Sequence, residues 1–172
     1  TCTVTYKANT YQVRYNPNGG TLQQGPTMTS TGTNPWEEID GVWRSGNYHV
    51  ASSTSTLTSN EFTLAETTTL SFDWAVSSES ASYDYLYYTI YKDGSALSGT
   101  GTSTKIGGNS SITDEANLTY TKVEKELTAG TYTIEFTYKK DSSVDKGLDR
   151  GYVKNIKTGI IDPTKTMSNS TF

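Results

Sequence analysis

Two stretches of strict alternation limit what this chain can fold into. In residues 70–76, Leu70, Phe72, Trp74 and Val76 point one way, and Ser71, Asp73 and Ala75 the other. In residues 83–92, Leu86, Tyr88 and Ile90 share one side, and Tyr83, Tyr85, Tyr87 and Tyr91 the other. A period of two puts successive side chains on opposite faces of an extended backbone, so each run reads as a half-buried β-strand. A polar turn separates the two, which are expected to neighbour each other. Their apolar sides mark a core. Their other sides carry a tyrosine ladder, with Ser71 and Asp73 alongside.

Composition extends this reading to the whole chain. Hydrophobic residues make up only 33% of the 172 residues, and 13 Tyr with abundant Ser and Thr supply side chains suited to pleated, half-wet surfaces. The 15 Gly supply turns. A chain of this length buries about 70% of its unfolded surface, so it needs neither metal nor disulfide merely to fold. Cys2 is the single cysteine, which excludes an internal disulfide and reads as a small strand residue. Net charge is −4 and the densest basic run is Lys139-Lys140, which argues against nucleic acid as a partner. No run approaches the roughly 18 apolar residues of a membrane span. The chain starts in strand alternation at Thr1 without an initiator Met and is expected to be a piece of a longer polypeptide.

Turn signals divide the rest. Residues 1–33 read as an N-terminal strand segment with a linker. Tyr11, Val13 and Tyr15 alternate ahead of an Asn-Pro-Asn-Gly-Gly turn. Residues 34–161 carry short strands expected at 36–39, 42–44, 48–57, 62–64, 67–76, 83–92, 119–127, 131–139 and 152–161. In the strand over 131–139, Tyr132, Ile134, Phe136 and Tyr138 face inward. Residues 95–111 read as a loop or weak edge hairpin, and 113–116 as one helical turn. Residues 162–172 form a polar tail. Many short strands at regular spacing, without a sustained helical period, indicate an all-β antiparallel β-sandwich of jelly-roll type.

The order of motifs adds a resemblance. Pro35-Trp36, Gly41 and Ser45-Gly46-Asn47 lead to Leu70-Ser71-Phe72-Asp73-Trp74 and Tyr83-Asp84-Tyr85-Leu86. Further on stand Leu127-Thr128-Ala129-Gly130-Thr131-Tyr132, Tyr138-Lys139-Lys140-Asp141 and Tyr152-Val153. Over about residues 35–157 this series resembles the MAM-like and cleaved-adhesin-like (galactose-binding-like) jelly-roll modules of bacterial surface proteins. Tyr11 to Thr21 is similar to the start of a Listeria–Bacteroides repeat. The resemblance implies an extracellular, cell-surface or secreted setting. Some such relatives bind calcium through acidic groups, and Lys154 stands where an acidic residue is usual.

Candidate sites follow from residue chemistry. The ladder Tyr83, Tyr85, Tyr87 and Tyr91, with Asp73, is a candidate glycan platform. Tyrosine offers a rigid apolar body to sugar C–H faces, and polar groups meet the hydroxyls. Asp141, Asp145 and Asp149 are candidate ligands for calcium, which takes six to eight oxygens; no cofactor is otherwise required. His49, the single histidine, lies between Tyr48 and Val50 in an expected strand and reads as structural. No nucleophile elbow, phosphate loop, dinucleotide fingerprint or zinc spacing is present. The expected function is a non-catalytic adhesion or carbohydrate-binding module. The alternative is a structural spacer or assembly unit whose partners are neighbouring protein subunits.

Overall fold

The computed structural model describes residues 25–158. Cys2, the strand expected around Tyr11–Tyr15 and the tail 162–172 lie outside the described residues. Among those described, the strands are β1 (Met28–Thr29), β2 (Glu37–Ile39), β3 (Val42–Arg44), β4 (Thr54–Ser59), β5 (Phe62–Leu64), β6 (Thr68–Ser77), β7 (Tyr85–Lys92), β8 (Ser95–Ala96), β9 (Gly101–Ile106), β10 (Thr121–Leu127), β11 (Gly130–Lys139) and β12 (Arg150–Thr158). A single 3₁₀ turn, Glu115–Asn117, overlaps the helical turn expected at 113–116.

These strands form two antiparallel sheets packed face to face. The larger runs β1-β4-β11-β7-β8, with β5 also on β11 and β9 also on β7; the smaller runs β10-β6-β12-β3-β2. Take the eight main strands β3, β4, β6, β7, β9, β10, β11 and β12 in chain order. One sheet then pairs first–eighth–third–sixth, the other second–seventh–fourth–fifth. This is the jelly-roll arrangement of an antiparallel sandwich, as expected.

The core forms where the alternating apolar sides of the two sheets meet. Phe72 on β6 stands edge-on to Tyr88 on β7 at 5.0 Å and to Phe136 on β11 at 4.8 Å. Trp74 stands edge-on to Tyr88 at 5.3 Å. Such T-shaped contacts place a positive ring edge on a negative face. Leu57, Leu70, Leu86, Ile90, Ile134, Tyr138 and Val153 belong to the same buried cluster, as do Trp36, Val76, Leu127 and Tyr132.

Several boundaries differ from the sequence reading. First, β6 and β7 are not neighbours. β6 bonds to β10 and β12, whereas β7 bonds to β11, β8 and β9. The turn between them carries the chain from one sheet to the other. It is tied by Ser78 Oγ donating to the Asp84 carbonyl (2.8 Å) and Ser78 N donating to the Gly108 carbonyl (2.7 Å). Crossing lets both apolar faces bury against each other. Second, β4 starts at Thr54 rather than at residue 48. His49 and Ser52 have left-handed φ values of 58° and 52°, which a strand does not accommodate. Third, the sandwich begins before residue 34: β1 pairs with β4, and Ser30 Oγ donates to the Thr56 carbonyl at 2.6 Å. Finally, the last strand begins at Arg150 rather than at residue 152, and residues 159–161 of the expected strand lie outside the described residues.

Candidate functional site

The outer face of the larger sheet carries the tyrosines. Antiparallel register sets Tyr85 opposite Lys139, Tyr87 opposite Thr137, Thr89 opposite Glu135 and Tyr91 opposite Thr133. On the other side of β11, Thr54, Thr56 and Thr58 stand opposite Lys139, Thr137 and Glu135. Three strands therefore give a row of tyrosines, then a mixed row of threonines and charges, then a row of threonines. Tyr85, Tyr87 and Tyr91 are half-buried, and the rings of Tyr85 and Tyr87 lie 6.0 Å apart, tilted by 38°. Residues two apart on a strand share a face at about 7 Å, so neighbouring rings brace each other and keep their orientation. Burial pushes the Tyr91 hydroxyl above the ordinary tyrosine pKa, and the charge of Glu135 adds to it. That hydroxyl stays protonated and able to donate at neutral pH.

The other two expected members are elsewhere. Tyr83 precedes β7 in the turn, donating its N–H to the Ser80 carbonyl at 3.1 Å, and is 53% exposed. Asp73 lies on β6, in the opposite sheet. It accepts a hydrogen bond from Asn155 Nδ2 at 2.6 Å and lines a small groove with Ser71, Lys122 and Lys157. The expectation that Asp73 adjoins the ladder is therefore corrected, because alternation identifies the face of a residue but not the neighbour of its strand.

The three aspartates expected to hold calcium do not converge. Asp145 and Asp149 group with His49, while Asp141 groups with Glu79 and Asp84. The ammonium of Lys140 stands among the acids. It donates to Asp145 Oδ1 at 3.0 Å, to Asp84 Oδ2 at 3.4 Å, and closely to Asp149 Oδ1. The side chains of Lys140, Asp84 and Asp149 are 1%, 0% and 0% exposed; that of Asp145 is 40% exposed. Asp149 also accepts from the Tyr138 hydroxyl (3.2 Å) and from the His49 backbone N–H (2.7 Å). His49 Nδ1 meets Asp145 Oδ2 at 2.9 Å. Asp141 Oδ1 accepts from the N–H of Ser143, and its own N–H donates to Asp84 Oδ1, both at 2.8 Å.

Charge balance explains this arrangement. Burial alone lowers an ammonium's pKa, but the hydrogen bonds from Lys140 to Asp149 and Asp145 outweigh it and raise Lys140 above the usual lysine value. The bonds from Lys140 and then His49 hold Asp145 down at about 2. Lys140 thus supplies internally the positive charge that gathers these acids. The result ties 141–149 to the loop 48–53 and the start of β7. Sequence reasoning missed Lys140 and Asp84, although a signal was there. Lys140 continues the inward register of Tyr132, Ile134, Phe136 and Tyr138, and Asp84 that of Leu86, Tyr88 and Ile90. Charged residues on adjacent inward registers are expected to pair.

The fold and this face define a jelly-roll β-sandwich with an aromatic and hydroxyl-rich outer sheet. No protein-family model and no curated protein matches the chain. Among solved structures it is similar to part of the secreted serine protease VesC from Vibrio cholerae, with a TM-score of 0.53 and 13% identity. That match covers 79% of this chain and 25% of the protease chain, so the chain corresponds to about a quarter of it and the likeness shows the fold alone. A mannan-binding module from Man5C in its bound conformation aligns over 78% of this chain and 94% of that module, at 18% identity and a TM-score of 0.33, too low to carry an argument. Among the described residues no helix is long and apolar enough to cross a membrane.

Proposed function

We propose that this chain is a non-catalytic carbohydrate-binding module of a larger extracellular protein, with its site on the outer face of the larger sheet. The carrying observation is the side-by-side placement of Tyr85 and Tyr87, with Tyr91 further along, against the mixed outward row of β11 and the threonine row Thr54, Thr56 and Thr58 of β4. Aromatic rings give sugar C–H faces an apolar surface, and threonine hydroxyls both donate and accept. Because the face is built on paired strands rather than loops, it is set before a ligand arrives, which reduces the ordering cost of binding.

The test is a glycan array probed with the chain, followed by titration of the best glycan against Tyr85→Ala and Tyr87→Ala. Binding is expected, with each substitution weakening it by about tenfold, or ~1.4 kcal/mol. A folded chain that binds no glycan would overturn this reading and leave the spacer or assembly-unit role.

A further inference from the structure

The platform is not electrically uniform. Two lysines flank Tyr85. The ammonium of Lys105, from β9, lies 5.1 Å from the centre of the Tyr85 ring. Lys139 stands directly across from Tyr85 on β11. Both side chains are exposed, and among the described residues neither forms an ion pair. The contrast with Lys122, which pairs with Glu124, and with Lys140, caged by three aspartates, is direct.

The carboxylate on the outward register of β11, Glu135, is four residues from Lys139, about 13 Å along the strand. It lies opposite Thr89, toward Tyr91, and its Oε1 accepts from the Thr137 hydroxyl at 3.3 Å. On the outward register of this face the cations therefore stand beside Tyr85 and the anion toward Tyr91, while the acids Asp84, Asp145 and Asp149 next to that end are gathered on Lys140. In a chain of net charge −4, two exposed lysines on the strands either side of one tyrosine are a local reversal of sign on this face.

We infer that the platform takes an anionic glycan, with the carboxylate or sulfate of one sugar held between Lys105 and Lys139 while that sugar lies against Tyr85. This rests on the carbohydrate-binding reading of the same face. The next sugar then lies along β7 on Tyr87, and hydroxyls toward Tyr91 meet Glu135 as an acceptor. A neutral sugar would leave both ammonium groups uncompensated, and an acidic sugar at the Tyr91 end would face Glu135. The charges thus set the direction of the glycan as well as its class.

Affinity electrophoresis and calorimetry with three polymers test this: polygalacturonate, dextran sulfate and neutral mannan. Retardation by at least one polyanion is expected, with the dissociation constant rising tenfold or more between 50 and 500 mM NaCl, because the screening length falls from about 14 Å to about 4 Å over that range. Response to polygalacturonate alone identifies the carboxylate as the recognised group, and response to dextran sulfate alone the sulfate. The double variant Lys105→Gln/Lys139→Gln is expected to lose tenfold or more with an unchanged melting temperature. The charge-matched Lys125→Gln/Lys157→Gln, on the other sheet, is expected to bind normally. Tyr85→Ala is also expected to weaken the complex, which separates sugar recognition from attraction to any polyanion. Equal affinity for mannan, an unaffected lysine double variant, or full polyanion binding by Tyr85→Ala would overturn the inference. The first two leave the carbohydrate reading standing. Binding to no glycan would overturn both.

Discussion

Lys140 shows what one misplaced-looking residue can organise. It follows an inward register of aromatic and aliphatic side chains, where a lone ammonium would be costly, and it is offset by Asp149, Asp145 and Asp84. Removing one member of a buried pair leaves the other charge uncompensated. Lys140→Met is therefore expected to destabilise the fold by about 3–5 kcal/mol, read as a shift in the urea midpoint; a loss under about 1 kcal/mol would contradict the account. Asp145 gives the acid-side counterpart. Its folded pKa of about 2 lies below the ordinary value of about 3.9. Its contribution is full above about pH 5 and is lost as pH falls toward 2. Asp145→Asn is expected to flatten the dependence of melting temperature on pH in that window, with a modest effect because the side chain is partly exposed. A wild-type profile retained in the variant would count against the pairing.

At the scale of elements, alternation picks out the core side of each long strand, although Ser71, Ala75, Thr89 and Thr137 on the other side are buried as well. The inward sets Leu70, Phe72, Trp74, Val76 and Leu86, Tyr88, Ile90 are buried as expected. Tyr132, Ile134, Phe136 and Tyr138 follow the same rule. What alternation does not encode is partnership, so the crossing between β6 and β7 was not legible and Asp73 went to the wrong face. The glycine- and serine-rich stretch 95–111, readable only as a loop or a weak edge hairpin, holds the edge strands β8 and β9 against β7. Edge strands bury little, so their sequences carry little period. The crossing itself is tightly packed. A Cβ on Gly107 would fall 2.4 Å from the Ala81 backbone nitrogen and 2.6 Å from its Cα. Gly107→Ala must push backbone against backbone and is expected to cost about 1–3 kcal/mol, measured by thermal unfolding. An unchanged melting temperature would show that the turn 77–84 is looser than drawn. Another link restrains the segment after β9, where the Arg44 guanidinium grips Glu115 with Nε and Nη2 at 2.7–3.0 Å. That hydrogen bonding holds the Glu115 carboxyl below its usual range.

At the scale of the molecule, the jelly roll separates two kinds of surface. One end is fastened by the ion cluster among 48–53, 84 and 140–149. The broad face of the larger sheet presents Tyr85, Tyr87 and Tyr91 beside threonine. The sandwich was legible because strand spacing and turn residues recur along the chain. Half of the platform was legible as well, since three of the four tyrosines expected on one face of β7 are there. The threonine rows and the flanking lysines were not, because they come from strands whose register only the folded sheet sets. The most direct test of the platform is an NMR titration of the ¹⁵N-labelled chain with the glycan that binds best. The account predicts the largest shift changes at Tyr85, Tyr87, Tyr91 and the facing residues 133–139 of β11. Changes confined to the loops 48–53 and 141–149, or to the groove beside Asp73, would contradict it.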